Sequence, residues 1–447
     1  MRKSAFVLLC LAAALAAGSG SFFDRAETLQ RAASGLAARH GLGEAGLRDQ
    51  LVARAYENGG LLAAEVLRAT GTTVPVFLSL LAAAFLVSRL TWGWGRLGRR
   101  LLPIMAGLVL AWGVWNGFSV WRHGLRDTRL LVPAGLLGKA SDTPGRVFFD
   151  PSALFLAPLF APQKLEPGAS LESATRLESS PVDWRGEDRM SPFSGVILTD
   201  LSSRAAPLLE MLQAAPGWRP AVMDNHGVLF LRGGRGTEEP SPETARKEFL
   251  DPSEQAIYLA QSALVMKSLD RSAEAGRLMA AAQELNGENL QVLLCAGSLA
   301  AQEGRWTAAR EAAGEVLKAV PSSPQAGYLL ALALFESNAI SKAATQIQIL
   351  AERHPEDTRI LQLQARIAKA GNDPATEVQA LENLLALSKK RGLPRGNLHI
   401  LLGQAWAKHG FPDQALENYQ AALDENPPPE LKSRIEEAMA LIREKTR

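Results

Sequence analysis

The side chains able to carry out chemistry are few and scattered. The six histidines are His40, His123, His226, His354, His399 and His409. No two of them stand at metal-ligand spacing with a third ligand nearby, so no metal is expected. Gly93-Trp94-Gly95-Arg96-Leu97-Gly98 spells GxGxxG. That loop cradles a pyrophosphate only between a strand and a helix, with an acidic residue further on. Here apolar stretches flank it, and it reads as a tight basic turn. Gly135-Leu136-Leu137-Gly138-Lys139 has neither the spacing nor the following Ser or Thr of a phosphate-binding loop. Asp183, Glu187 and Asp188 lie in a polar stretch where solvation is the expected fate of their carboxylates. GxSxG, HExxH and CxxC are absent. The expectation is a chain without catalysis or cofactor, and a net charge of +2 gives no argument for nucleic acid.

What remains are side chains suited to holding a partner rather than reacting with it. Tyr328, Leu332 and Phe335 form an apolar set, and Arg359, Gln362, Arg366 and Lys369 a basic one. Asn397, Gln404 and Lys408 follow, and Gln291 and Ser298 precede them. An apolar pocket beside clustered cations suits an extended peptide with an acidic group or a C-terminal carboxylate. The competing reading packs Tyr328 and Leu332 between helices and leaves the charges as a solvated face. Which holds depends on the elements that carry them.

Those elements are legible from Asn397 to Pro427. Leu401, Leu402, Ala405 and Trp406 share a helical face, Gly410-Phe411-Pro412 breaks it, and Ala415, Leu416, Tyr419, Ala422 and Leu423 form a second apolar stripe. Small residues at Gly403 and Ala415 let the two helices approach. This pattern resembles a tetratricopeptide (TPR) repeat, and the test is recurrence at about 34 residues. Pro355 steps back to Pro321 and the turn at Gly287, and Ala343 steps back to Ala309 and Ala275. Units therefore run Ala256–Asn289, Leu290–Ser323, Pro324–Asp357 and Thr358–Arg395, with a last one from Gly396. About five repeats fill 254–429, and 430–447 reads as the polar-faced capping helix of an open solenoid end. The resemblance implies that the first helix of each pair lines a concave face carrying the residues above. It does not imply the carboxylate clamp of chaperone-binding TPR domains, because Ala260 and Leu264 hold the clamp positions.

Toward the N-terminus, Arg2-Lys3 and an apolar run to Ala17 read as a signal peptide or signal anchor over 1–20. Cys10 lies too deep in that run, with Leu9 before it, for a lipoprotein. If the run is removed, Cys295 is left without a disulfide partner. A helical segment with balanced charge occupies 22–73. Two apolar spans, Val74–Leu90 and Leu101–Trp121, make a transmembrane hairpin over 74–121. Trp92, Trp94, Trp115 and Trp121 sit at its ends, and Arg96, Arg99 and Arg100 in its loop put that loop in the cytoplasm. The later domains are thus expected on the periplasmic side of a bacterial inner membrane, with Arg122, Arg126 and Arg129 pulling weakly the other way.

Strands are expected at Arg146–Asp150, Ser194–Thr199, Arg219–Met223 and Val228–Arg232, with a helix over Ser202–Gln213 and a hairpin turn at Asp224–Gly227. They give a small α/β domain over 130–232, with an irregular surface loop over 161–190 and a flexible linker over 233–253. The fold class is therefore α-dominated: two transmembrane helices, a small α/β domain and a C-terminal α-solenoid of TPR hairpins. Trp218–Asp224 followed by Val228–Arg232 also resembles the closing hairpin of the tail domain in membrane glycosyltransferases of the dolichyl-phosphate-mannose type. This chain lacks their many spans and their acidic catalytic motif, so the resemblance implies at most an accessory or degenerate relative. A third reading is an assembly factor resembling the cytochrome c maturation protein that joins two membrane helices to external TPR repeats. That family carries a long cytoplasmic segment between its spans, and the loop here is short. The first reading is a membrane-anchored scaffold holding a protein or peptide ligand.

Overall fold

The computed structural model describes residues 130, 133–166, 169–201, 205–234, 236–390, 395–425 and 427–445. The signal run, the 22–73 segment and the 74–121 spans lie outside the described residues. Among the described residues, no helix is long and apolar enough to cross a membrane.

A mixed four-stranded sheet comes first. Its strands are β1 (Arg146–Phe149), β2 (Phe193–Leu198), β3 (Trp218–Met223) and β4 (Val228–Arg232), in the order β1-β2-β4-β3. β1 and β2 run parallel, and β4 is antiparallel to both of its neighbours. Helices α1 (Ala134–Asp142), α2 (Pro151–Phe160), α3 (Leu171–Ser179), α4 (Pro181–Met190) and α5 (Ala206–Ala214) accompany it. The parallel pair is tied at its C-terminal ends by Asp150, whose residue is 0% exposed. Its carboxylate accepts from Ala153 N–H, capping α2, and from the N–H groups of Thr199 and Asp200 beyond β2. Burial raises its pKa, and those backbone donors work against the rise. The β3–β4 turn closes as the Asp224–Gly227 pattern predicts, with Asp224 Oδ1 accepting from His226 N–H at 2.8 Å. A Cβ at Gly227 would sit 2.1 Å from the Leu198 carbonyl oxygen, so that position admits only glycine.

Two expectations are corrected. The stretch 161–190 is not an irregular loop: after a 3-10 turn at Pro162–Lys164 it forms α3 and α4. Its serines and proline are capping chemistry. Ser170 and Ser173 cap α3 reciprocally, and Ser180 caps α4 with Pro181 in the first turn. Trp184 then anchors α4, stacked on Phe193 at 5.6 Å and edge-on to Trp218 at 5.7 Å. Nor is 233–253 a structureless linker. Glu238 N–H donates to Ala221 O at 2.7 Å and Met223 N–H to Glu238 O at 2.8 Å, extending the sheet past β3. Ser241 caps α6 (Pro242–Glu248), and Phe249 is buried against Tyr258 with ring centroids 5.3 Å apart. A buried aromatic fixes the path that composition left open.

The repeats follow as α7 (Pro252–Ser268) with α8 (Ser272–Asn286), and α9 (Leu290–Gln302) with α10 (Trp306–Ala319). Next come α11 (Pro324–Glu336) with α12 (Ile340–Arg353), and α13 (Thr358–Gly371) with α14 (Pro374–Lys390). The last pair is α15 (Gly396–Lys408) with α16 (Pro412–Asp424), closed by α17 (Pro429–Lys445). Every hairpin turns through one left-handed residue: Asp270, Gly304, Asn338, Asn372 and Gly410. Gly and Asn tolerate that backbone best, and its recurrence marks the repeat. Gly403 permits the close approach foreseen for it, since a Cβ there would lie 3.0 Å from the Tyr419 ring. Ile435 and Met439 of α17 cover Ala415 and Tyr419 of the last pair, as a solenoid cap must.

One apolar core joins the two parts. It runs from Leu136, Val196 and Phe230 through Phe249 into Ile257, Ala260 and Met266 of α7 and Val292 and Cys295 of α9. Polar ties reinforce it. Asn225 Nδ2 donates to Gln261 Oε1 at 2.8 Å, Gln213 Nε2 to Leu269 O at 3.2 Å, and Arg271 pairs with Glu239 at 2.8 Å. The α/β domain is therefore the N-terminal cap of the solenoid.

Candidate partner-binding face

The first helices of the pairs, α7, α9, α11, α13 and α15, carry the predicted binding residues, and the structure sorts them. In α7 the equivalent positions Ile257 and Ala260 are 1% and 0% exposed. In α9, Gln291 is buried, with no hydrogen-bond partner on its Oε1. Ser298 donates to its own helix, to Leu294 O at 2.9 Å. The first two repeats thus present little to a ligand, and Gln291 does not belong to an open surface.

From α11 onward the face is accessible. Tyr328, Leu332 and Phe335 are half-buried, resting on the core of the third and fourth repeats. Both readings from the sequence meet in them: they pack between repeats and present one side outward. Arg359 lies over the Tyr328 ring, with Cζ 6.0 Å from its centroid, and Arg366 over the Phe335 ring at 5.2 Å. Each contact joins α11 to α13, and the two guanidinium groups sit seven residues apart, about 10 Å along α13. Stacking uses the face of a guanidinium and leaves its in-plane N–H groups for carboxylates.

Sequence reasoning missed the acidic partners. Asp357 Oδ2 accepts from Arg359 at 2.8 Å, and Glu336 Oε1 from Arg366 at 3.0 Å. Burial opposes it, but the Arg359 hydrogen bond and charge hold the Asp357 carboxyl below the usual range. Asp357 was findable as the N-cap of α13, whose side chain accepts from Arg359 N–H. Glu336 directly follows Phe335 but gives no signal of its own. Gln362, Lys369, Asn397, Gln404 and Lys408 are exposed or partly so. Lys408 Nζ donates to Lys369 O at 3.3 Å, which brings the fourth and fifth repeats together at that edge. The face is therefore two aromatic–guanidinium rungs, each guanidinium paired with one carboxylate, with two further lysines beyond them. It offers charge and flat apolar surface to a partner. Among the described residues no group of His, Cys, Asp and Glu could hold a metal ion.

Residues 300–367 match the family model described as Tetratricopeptide repeat. No curated protein matches the chain. Among solved structures the chain is similar to YrrB, described as a TPR protein with an unusual peptide-binding site, at 17% identity and TM-score 0.36. That match covers 44% of this chain and 100% of that one. It is also similar to TTC0263, a thermophilic TPR protein of Thermus thermophilus, at 16% identity and TM-score 0.33, over 41% of this chain and 99% of that one. MamA of Desulfovibrio magneticus RS-1 matches at 16% identity and TM-score 0.35, over 39% and 95%. The family-model match lies within the repeats, and nothing in these comparisons bears on the glycosyltransferase-like hairpin.

Proposed function

Because the chain carries tetratricopeptide repeats, we propose that it is a non-catalytic scaffold that holds a protein or peptide partner on the face formed by α11, α13 and α15. It is tethered to the bilayer through residues 74–121, with the α/β domain and repeats on the periplasmic side of a bacterial inner membrane. The observation that carries the binding role is the pair of rungs, Tyr328 with Arg359 and Phe335 with Arg366. Stacked guanidinium groups suit acidic, extended ligands. The tether and the side of the membrane are supported by the apolar spans and by the arginines between them.

The test uses the full chain in detergent, as wild type and with Arg359→Glu, Arg366→Glu and Lys369→Glu combined. Envelope proteins are captured on each and compared by mass spectrometry. Partners held by the wild type and lost from the charge-reversed chain support the reading, and identical capture by both rejects it. Protease digestion of spheroplasts tests the topology separately: the repeats are cut if they are periplasmic and protected if they are not.

A further inference from the structure

Among the described residues, the sheet has hydrogen-bonding groups without a partner. β1 is an edge strand, paired only with β2. Asp150 N–H donates to Ile197 O at 3.1 Å. The alternation of a ladder then turns the backbone of Phe148 toward β2 and that of Val147 and Phe149 away from it. Among the described residues no group meets those two outward N–H and two outward C=O groups. They are not on open surface either, because Val147 and Phe149 are each 4% exposed. Unpaired edge groups are a template for another strand wherever an opening reaches them.

Val147 and Phe149 border a cleft of about 280 Å³, which Leu154 and Leu177 line on its apolar side. That volume is near the lower end of ligand pockets. Arg146, Lys164 and Arg176 bring positive charge to it. Arg146 is matched by Glu166 and Glu187 and lies over the Phe193 ring. Lys164 is different: its Nζ donates to the carbonyls of Thr143 and Gly145. Neither Lys164 nor Arg176 has a carboxylate partner among the described residues.

We propose that this cleft binds the C-terminal tripeptide of a partner chain as an added strand on β1. Two outward residues of a strand span about 6.6 Å, which pairs with roughly three residues of ligand. One apolar side chain of the ligand rests on Leu154 and Leu177. Its terminal carboxylate takes the charge of Lys164 and Arg176, a main-chain capture with the chain end read by cations. This site is separate from the repeat face and does not depend on it.

The probe is a pool of N-acetylated tripeptide acids, varied at the central apolar residue, titrated into the full chain in detergent and followed by saturation-transfer NMR. Saturable binding is expected. It should weaken at least tenfold when the same peptides are amidated at the C-terminus or N-methylated at the central amide. Ala174 lines the cleft, and Ala174→Phe, which fills the space, should abolish binding. Val147→Pro, which deletes one outward N–H on an edge strand where proline is tolerated, should weaken it. Arg176 is exposed, so Arg176→Gln leaves the fold intact and should weaken the acids while leaving the amides unchanged. No binding at millimolar peptide, equal binding of acids and amides, or wild-type binding by Arg176→Gln would each overturn the proposal.

Discussion

The contact between the fourth and fifth repeats contains one buried polar pair beside its apolar core. Glu377 enters from the first turn of α14, and His409 follows the last turn of α15. Their Oε2 and Nε2 atoms are 3.2 Å apart, with side-chain exposures of 5% and 9%. Replacing His409 with alanine leaves the carboxyl group in the same apolar surroundings without that partner. If only a neutral hydrogen bond is lost, the cost is about 1–3 kcal/mol. If an ion pair is broken, the stranded charge costs about 3–5 kcal/mol. The position of Glu377 at a helix N-terminus returns at most about 1 kcal/mol. For the broken ion pair the expected net loss is therefore about 2–4 kcal/mol, confined to the end of the array. Native-state hydrogen exchange on the full chain should show amides in α14 to α16 opening faster by about 1.5 to 3 decades. Amides of β2 and β4 should exchange as before. The double substitution Glu377→Leu with His409→Leu should recover most of the loss, because well-packed apolar replacements of a buried pair are often neutral. If His409→Ala changes exchange by less than threefold, or the double variant is as damaged as the single one, the pair is not what fastens these repeats.

Three further outcomes follow from the packing and the ionisable groups. A fragment starting at Asp251 loses Phe249 from the Tyr258 ring and uncovers Ile257 and Ala260, so it should bind a hydrophobic dye and melt broadly, whereas a fragment starting at Leu130 should melt in one transition. Burial pushes the Asp224 carboxyl up to about 7, against the N–H donors of its turn, so the folded state holds this proton more tightly than the unfolded chain. Stability should then fall as pH rises from about 4 to about 7 and level off above, and Asp224→Asn should flatten that part of a melting-temperature profile. Burial also pushes the Cys295 thiol up to about 12. Mapped by mass spectrometry, it should resist iodoacetamide in the native protein and react at the rate of a free thiol in denaturant.

The hairpin array was legible because each of its signals is local. Asn289, Ser323 and Asp357 cap successive first helices, and the left-handed turn residue recurs at the same phase. The strands were legible for the same reason, since alternation and the Asp224 turn need only a few neighbours. The errors lie where a distant contact decides. Phe249 orders the segment before the repeats by packing on Tyr258, and Trp184 orders α4 through Phe193 and Trp218, the second of them far from it in sequence. At the proposed binding face, the position of each residue within its repeat identified the first-helix surface. It could not tell that the same surface is covered at Gln291 and open at Arg366.

The core shared by the sheet and the first two hairpins also bears on how such a chain changes length over evolutionary time. The opening hairpin is shaped to β-domain side chains and the closing one to α17, so neither can be duplicated without exposing a surface cut for something else. The interior units from α11 to α14 meet only their own kind on both sides. Gains and losses of whole hairpins are therefore tolerated there and nowhere else, and related chains should differ in reach while keeping both bookends.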